Sequence, residues 1–167
     1  MKNTVFALVY TLFSTGPCFA QESTTGFETL PTLTWKFQTQ GAIVASPVVS
    51  DGVVYIGSAD SILYAIDTQT GKARWTFRTR GDIKSAVCIE LEKLFLSGGD
   101  GILYALEKNS GKVIWVFQTG GEQLYPLFGY ADYYHSSPVL YDGMLYVGSG
   151  DSCVYALRPE DGALVWK

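Results

Sequence analysis

Leu63-Tyr64-Ala65-Ile66-Asp67-Thr68-Gln69-Thr70-Gly71-Lys72-Ala73-Arg74-Trp75 decides the fold, because it returns twice in register. Leu103-Tyr104-Ala105 leads to Gly111 and Trp115, and Val154-Tyr155-Ala156 leads to Gly162 and Trp166. In all three copies Ala, Gly and Trp keep one eleven-residue spacing. A period of this size marks a repeat architecture, in which each unit buries its apolar faces only against its neighbours.

Working outward, Tyr55-Ile56-Gly57-Ser58-Ala59-Asp60 lies over Phe95-Leu96-Ser97-Gly98-Gly99-Asp100 and Tyr146-Val147-Gly148-Ser149-Gly150-Asp151. Further upstream, Ser46-Pro47-Val48-Val49-Ser50-Asp51-Gly52 matches Ser137-Pro138-Val139-Leu140-Tyr141-Asp142-Gly143, with Ala86 and Val87 degenerate between them. The apolar runs are four to six residues long, rich in Val, Ile, Tyr, Phe and Trp, and broken by Asp-Gly, Gly-Ser-x-Asp and Thr-Gly-Lys turns. That pattern predicts short strands joined by tight turns. Four strands fit each copy, 45–49, 53–57, 62–66 and 74–78 in the first.

The predicted fold class is therefore all-β: a partial β-propeller of about three four-stranded antiparallel blades, too few to close alone. Blades fall at about 45–79, 85–119 and 136–167, preceded by an orphan outer strand at 34–39. The indoles of Trp35, Trp75, Trp115 and Trp166 are expected to pack between consecutive blades with each N–H on a backbone carbonyl. Gly71, Gly111 and Gly162 are expected to adopt the positive φ that folds the outer strand back.

The chain has 167 residues, 47% hydrophobic and 17% charged, which fits about one globular domain. Residues 1–20 read as a secretory signal: Lys2, an apolar run from Val5 to Phe13, and the small-residue end Cys18-Phe19-Ala20. A linker at 21–33 follows. Cleavage would remove Lys2 and no acid, moving the net charge from −4 to −5 and opposing nucleic-acid binding. The predicted location is periplasmic or secreted. Cys88 and Cys153 read as two apolar strand cysteines, with a disulfide between them as the alternative in an oxidising compartment.

The docking pattern Ala65-Asp67-Gly71-Lys72-Trp75, echoed by Ala105-Glu107-Gly111-Lys112-Trp115, resembles the pyrroloquinoline-quinone-type β-propeller repeat. The third copy departs from it, with Arg158 and Ala163 in place of the acid and the lysine. The repeat occurs in quinoprotein alcohol dehydrogenases, in the periplasmic propeller subunit of the outer-membrane barrel-assembly machinery, and in many other exported propellers. The resemblance implies the fold and leaves function to the site. The dehydrogenases are similar in the repeat but carry a central quinone with calcium and tend to have a vicinal disulfide, whereas this sequence has no Cys-Cys pair.

No catalytic constellation stands out, no second His or paired Cys accompanies His135 as a metal ligand, and no cofactor is predicted. Asp60, Asp100 and Asp151 recur at one turn of separate blades and are expected to bond their own backbone. The best candidate site is the eleven-residue insertion before the third blade, where Tyr125, Phe128, Tyr130, Tyr133, Tyr134 and His135 form an aromatic cluster suited to a sugar or a protein. The functional expectation is a non-catalytic exported module that binds an envelope protein or polymer. The alternatives are a fragment of a quinone-dependent dehydrogenase and a truncated propeller without activity of its own. The blade shortfall would be met by missing C-terminal blades or by a second copy completing a six-bladed ring.

Overall fold

The computed structural model describes residues 32–120 and 136–167, and from Leu33 onward these belong to one unit. Among them are twelve strands and no helix. The first sheet holds β1 (Val48–Ser50), β2 (Val53–Gly57), β3 (Ile62–Asp67) and β4 (Ala73–Arg78). The second holds β5 (Cys88–Glu90), β6 (Lys93–Ser97), β7 (Ile102–Glu107) and β8 (Val113–Gln118). The third holds β9 (Val139–Tyr141), β10 (Met144–Gly148), β11 (Val154–Leu157) and β12 (Leu164–Trp166). Each sheet is an antiparallel meander in chain order, which is the blade of a propeller, and the three do not close.

Local chemistry explains the meander. Ser50 pairs with Val53 across the two-residue loop Asp51-Gly52, whose φ angles of 48° and 72° match the turn that follows the strand twist. Asp142 and Gly143 repeat this at 49° and 70°. In the second blade Leu91 takes the same place at φ 50°, an uncommon conformation for a side chain with no turn chemistry. Register then fixes the faces. Tyr55 lies opposite Ala65, and Ala65 opposite Trp75, so one face carries a large, small, large row.

The innermost strands are shorter than expected. The first begins at Val48 rather than residue 45, and its counterparts begin at Cys88 and Val139. Pro47 and Pro138 have no N–H to give a ladder. Ala45 and Ser85 instead turn inward and are buried, and Ser85 Oγ donates to Ser97 O at 2.9 Å. Residues 34–39 run extended without strand pairing, because no described strand of their own blade lies beside them.

The core lies between blades. Val53, Tyr55, Leu63 and Ala65 of the first blade pack on Ile83, Leu94, Leu96, Tyr104 and Leu106 of the second. Phe95, Leu103 and Ala105 of the second pack on Leu145, Val147, Tyr155 and Leu157 of the third. The opposite face of the first blade, with Ile56, Tyr64 and Ile66, is covered by Trp35, Phe37 and Ala45. Burying a Leu- or Phe-sized side chain contributes about 1.5–3 kcal/mol, so the blade seams dominate stability.

Candidate functional site

The most regular construction in the molecule is the seat at each seam. Trp35 Nε1 donates to Thr68 O at 2.7 Å, Trp75 Nε1 to Lys108 O at 3.2 Å and Trp115 Nε1 to Pro159 O at 3.1 Å. Each acceptor lies on the next repeat, three residues before that repeat's docking glycine. Gly71, Gly111 and Gly162 have φ of 66°, 71° and 73°. Their second constraint is contact: a Cβ on Gly71 would lie 2.7 Å from Trp35 Cγ. On Gly111 it would lie 2.5 Å from Trp75 Cε3, and on Gly162 2.6 Å from Trp115 Cε3. The indole thus rests flush on bare backbone. Trp166 occupies the same column, packs against Tyr146 and is half exposed.

A second repeated device lies at the other end of each seam. Asp60 Oδ1 accepts from Ile62 N–H at 3.1 Å, the turn bond expected of it. Its Oδ2 also accepts from Tyr64 Oη at 2.7 Å and from Gln40 N–H at 2.9 Å, which belongs to the preceding repeat. Asp100 does the same with Ile102, Tyr104 and Arg80, and Asp151 with Cys153, Tyr155 and Gly120. The tyrosine ring meets the preceding repeat edge-on, Phe37 with Tyr64, Phe77 with Tyr104 and Phe117 with Tyr155. This inter-repeat staple was not anticipated. Its signal was present in the sequence, since a Tyr stands four residues after the Asp in every copy.

Electrostatics follow the staple. Burial pushes the Asp60 carboxyl up, but bonds from Tyr64, Gln40 and Ile62 outweigh it and hold it below the usual range. Burial, reinforced by the Asp60 carboxylate, pushes the Tyr64 phenol up to about 12. Asp151 is lowered in the same way. A third contact joins the first two blades: Lys108 Nζ, buried, reaches Asp51 Oδ2 at 2.8 Å and Glu92 Oε1 at 3.6 Å.

The aromatic candidates Tyr125, Phe128, Tyr130, Tyr133, Tyr134 and His135 lie outside the described residues, as does the 1–20 signal. A shallow cleft between the second and third blades is lined by Ser97, Gly98, Leu103, Thr119, Ser136 and Gly148. Ser97 Oγ is buried there without a hydrogen-bond partner. Cys88 and Cys153 are both free thiols. Burial pushes the Cys88 thiol up, away from the thiolate form that reacts.

A quinone with its calcium needs acidic groups converging on one point. Among the described residues no three of His, Cys, Asp and Glu are gathered in that way. No described helix is long and apolar enough to cross a membrane.

The family model for the outer membrane protein assembly factor BamB matches residues 28–167. The chain belongs to that family. Its BamB-like repeat covers both described segments and the stretch between them. Among solved structures, BamB from Moraxella catarrhalis superposes with a TM-score of 0.66 at 25% identity, over 81% of this chain and 40% of that one. Quinohemoprotein alcohol dehydrogenase from Comamonas testosteroni gives 0.59 at 23% identity, over 75% of this chain and 21% of that one. The computationally designed Ika4 protein gives 0.65 at 16% identity, over 83% and 79%. The last two show the shared propeller fold alone. The chain spans about two fifths of the Moraxella BamB. No curated protein sequence matches it significantly.

Proposed function

We propose that this chain is a non-catalytic, protein-binding propeller segment that works in the cell envelope in the assembly of outer-membrane proteins. The observation that carries the reading is the match of the BamB family model to residues 28–167. The repeated seats and staples support it, because they commit the Trp, Asp and Tyr columns to holding blades together and leave loops and rims for recognition. The leader-like residues 1–20 support a periplasmic location.

The test is complementation. The full chain is expressed in a bacterium deleted for its own BamB, and outer-membrane porin levels and detergent resistance are measured. Recovery of both is the expected result. Exported, folded protein that restores neither would refute the reading.

A further inference from the structure

The turns that lead out of the innermost strands carry two departures from the repeat. β1, β5 and β9 are joined to β2, β6 and β10 by the equivalent two-residue loops Asp51-Gly52, Leu91-Glu92 and Asp142-Gly143, which therefore lie at one end of the blades. At the first loop position two copies hold Asp at φ 48° and 49°, a residue that tolerates the left-handed region, whereas the middle copy holds Leu91 at φ 50°. Leu91 is 83% exposed, so burial does not offset that strain. An exposed leucine alone needs no explanation; an exposed leucine in a strained turn does, because strain of this kind persists at functional positions. One residue earlier, where the first two copies hold Ser50 and Glu90, the third holds Tyr141, which is 74% exposed. The two departures stand on neighbouring blades whose inner segments touch, with Ala86 N–H donating to Ser137 Oγ at 3.0 Å. Carboxylates fringe both positions: Asp51, Glu90, Glu92 and Asp142. The cations flanking these four are Lys108, held by Asp51 and Glu92, and Lys93, whose Nζ donates to Pro159 O at 3.3 Å.

We propose that this end of the blades, anchored on Leu91 and Tyr141 and fringed by carboxylates, is a docking surface for a partner protein that offers an apolar recess bordered by Lys or Arg. The anchors select a protein. An isobutyl group and a phenol fill a recess between side chains, and tyrosine is among the residues that carry interface energy. The fringe selects the partner's charge, because potentials across an interface are complementary. A second copy of this chain is a poorer occupant, since it has a net charge of −4 and brings the same carboxylates to the contact. An anionic lipid surface is disfavoured for the same reason, as it attracts basic segments and repels acidic ones. The inference rests on the protein-binding reading above and names the surface and the partner chemistry for it.

The probe is a fluorescein-labelled amphipathic peptide of about eighteen residues, long enough to form a helix, with leucine on one face and lysine on the other. It is titrated with the full chain by fluorescence anisotropy. Saturable binding is expected, weakened by about tenfold or more in Leu91→Asn and in Tyr141→Ser, and kept within about twofold in Leu91→Met, which preserves the apolar anchor. Leu91→Asn relieves the strained turn, so its thermal midpoint should not fall and its lost binding is not lost folding. Circular dichroism of Tyr141→Ser checks that variant in the same way. A peptide with glutamine for every leucine, or with glutamate for every lysine, is expected not to bind. Three outcomes overturn the proposal: no saturable binding, equal binding by either Leu91→Asn or Tyr141→Ser, or equal binding of the glutamine peptide, which would reduce the surface to charge. Sedimentation showing a dimer that Leu91→Asn dissociates would assign the surface to a second copy and also overturn it. Peptide binding that Leu91→Asn removes, without complementation by the native chain, leaves the surface standing and rejects the assembly role. Complementation by the native chain and Leu91→Asn alike, with no difference in peptide binding, does the reverse.

Discussion

Gly111 and Gly143 share a positive φ, yet the structure asks different things of them. A Cβ on Gly143 meets nothing within 4 Å, whereas one on Gly111 would enter the Trp75 ring. Gly143→Ala is expected to cost about 1–2 kcal/mol, the left-handed penalty alone. Gly111→Ala should cost at least about 2 kcal/mol more, because Trp75 must leave its seat and its N–H loses Lys108 O. Urea midpoints of the two variants compare the costs directly, and equal losses would count against the seat. Leu91 poses the opposite case: exposed, at φ 50°, in a turn that favours Asn or Asp. Leu91→Asn is expected to stabilise by about 1 kcal/mol, read as a raised thermal midpoint. The Gly column was legible in the sequence through its spacing. The odd turn at Leu91 was less so, because only alignment to Asp51 and Asp142 shows what is missing there.

At the scale of the strands, the Asp–Tyr staple makes stability depend on pH at both extremes. The Tyr64 phenol sits at about 12 in the folded chain, against about 10 when unfolded. A raised acid of this kind contributes stability that is fully present below pH 10 and is lost as pH rises through 12. The Asp60 carboxyl is lowered, so its share is present above the ordinary carboxylate pKa and lost as pH falls through the depressed value. The two shifts share the Tyr64–Asp60 hydrogen bond, so they are not summed. Denaturation midpoints at neutral pH and near pH 12 should differ for the native sequence. Tyr64→Phe should lower the neutral value by about 1 kcal/mol and flatten the alkaline fall; an unchanged alkaline slope would place the effect elsewhere. Strand existence was readable here because turns recur about every ten residues. The inner-strand starts were not, since Ala45 and Ser85 give up the ladder for burial between blades, a choice made by the neighbouring sheet.

For the whole molecule, equivalent residues differ in worth according to what lies beyond them. Trp115 sits between two blades and donates to Pro159 O, while Trp166, packed on Tyr146, is 49% exposed on the third blade. Trp115→Ala is expected to cost about 3–5 kcal/mol, and Trp166→Ala about 1 kcal/mol or less. Equilibrium unfolding of the two variants would show it, and equal losses would mean that the third blade's outer face is covered in solution.

The sequence by itself determined the blade. Period-two apolar runs, turn residues at fixed offsets and the Ala, Gly, Trp spacing are local signals, and each is read by a few neighbouring residues. The tertiary structure decided how the blades are joined. Thr68, Lys108 and Pro159 are unlike as side chains, yet each supplies the carbonyl beneath the preceding tryptophan. No side-chain pattern could show this, because the acceptor is backbone. Burial of a sheet face is likewise a relation between two sheets, which is why three identical columns end in two filled seams and one half-exposed indole.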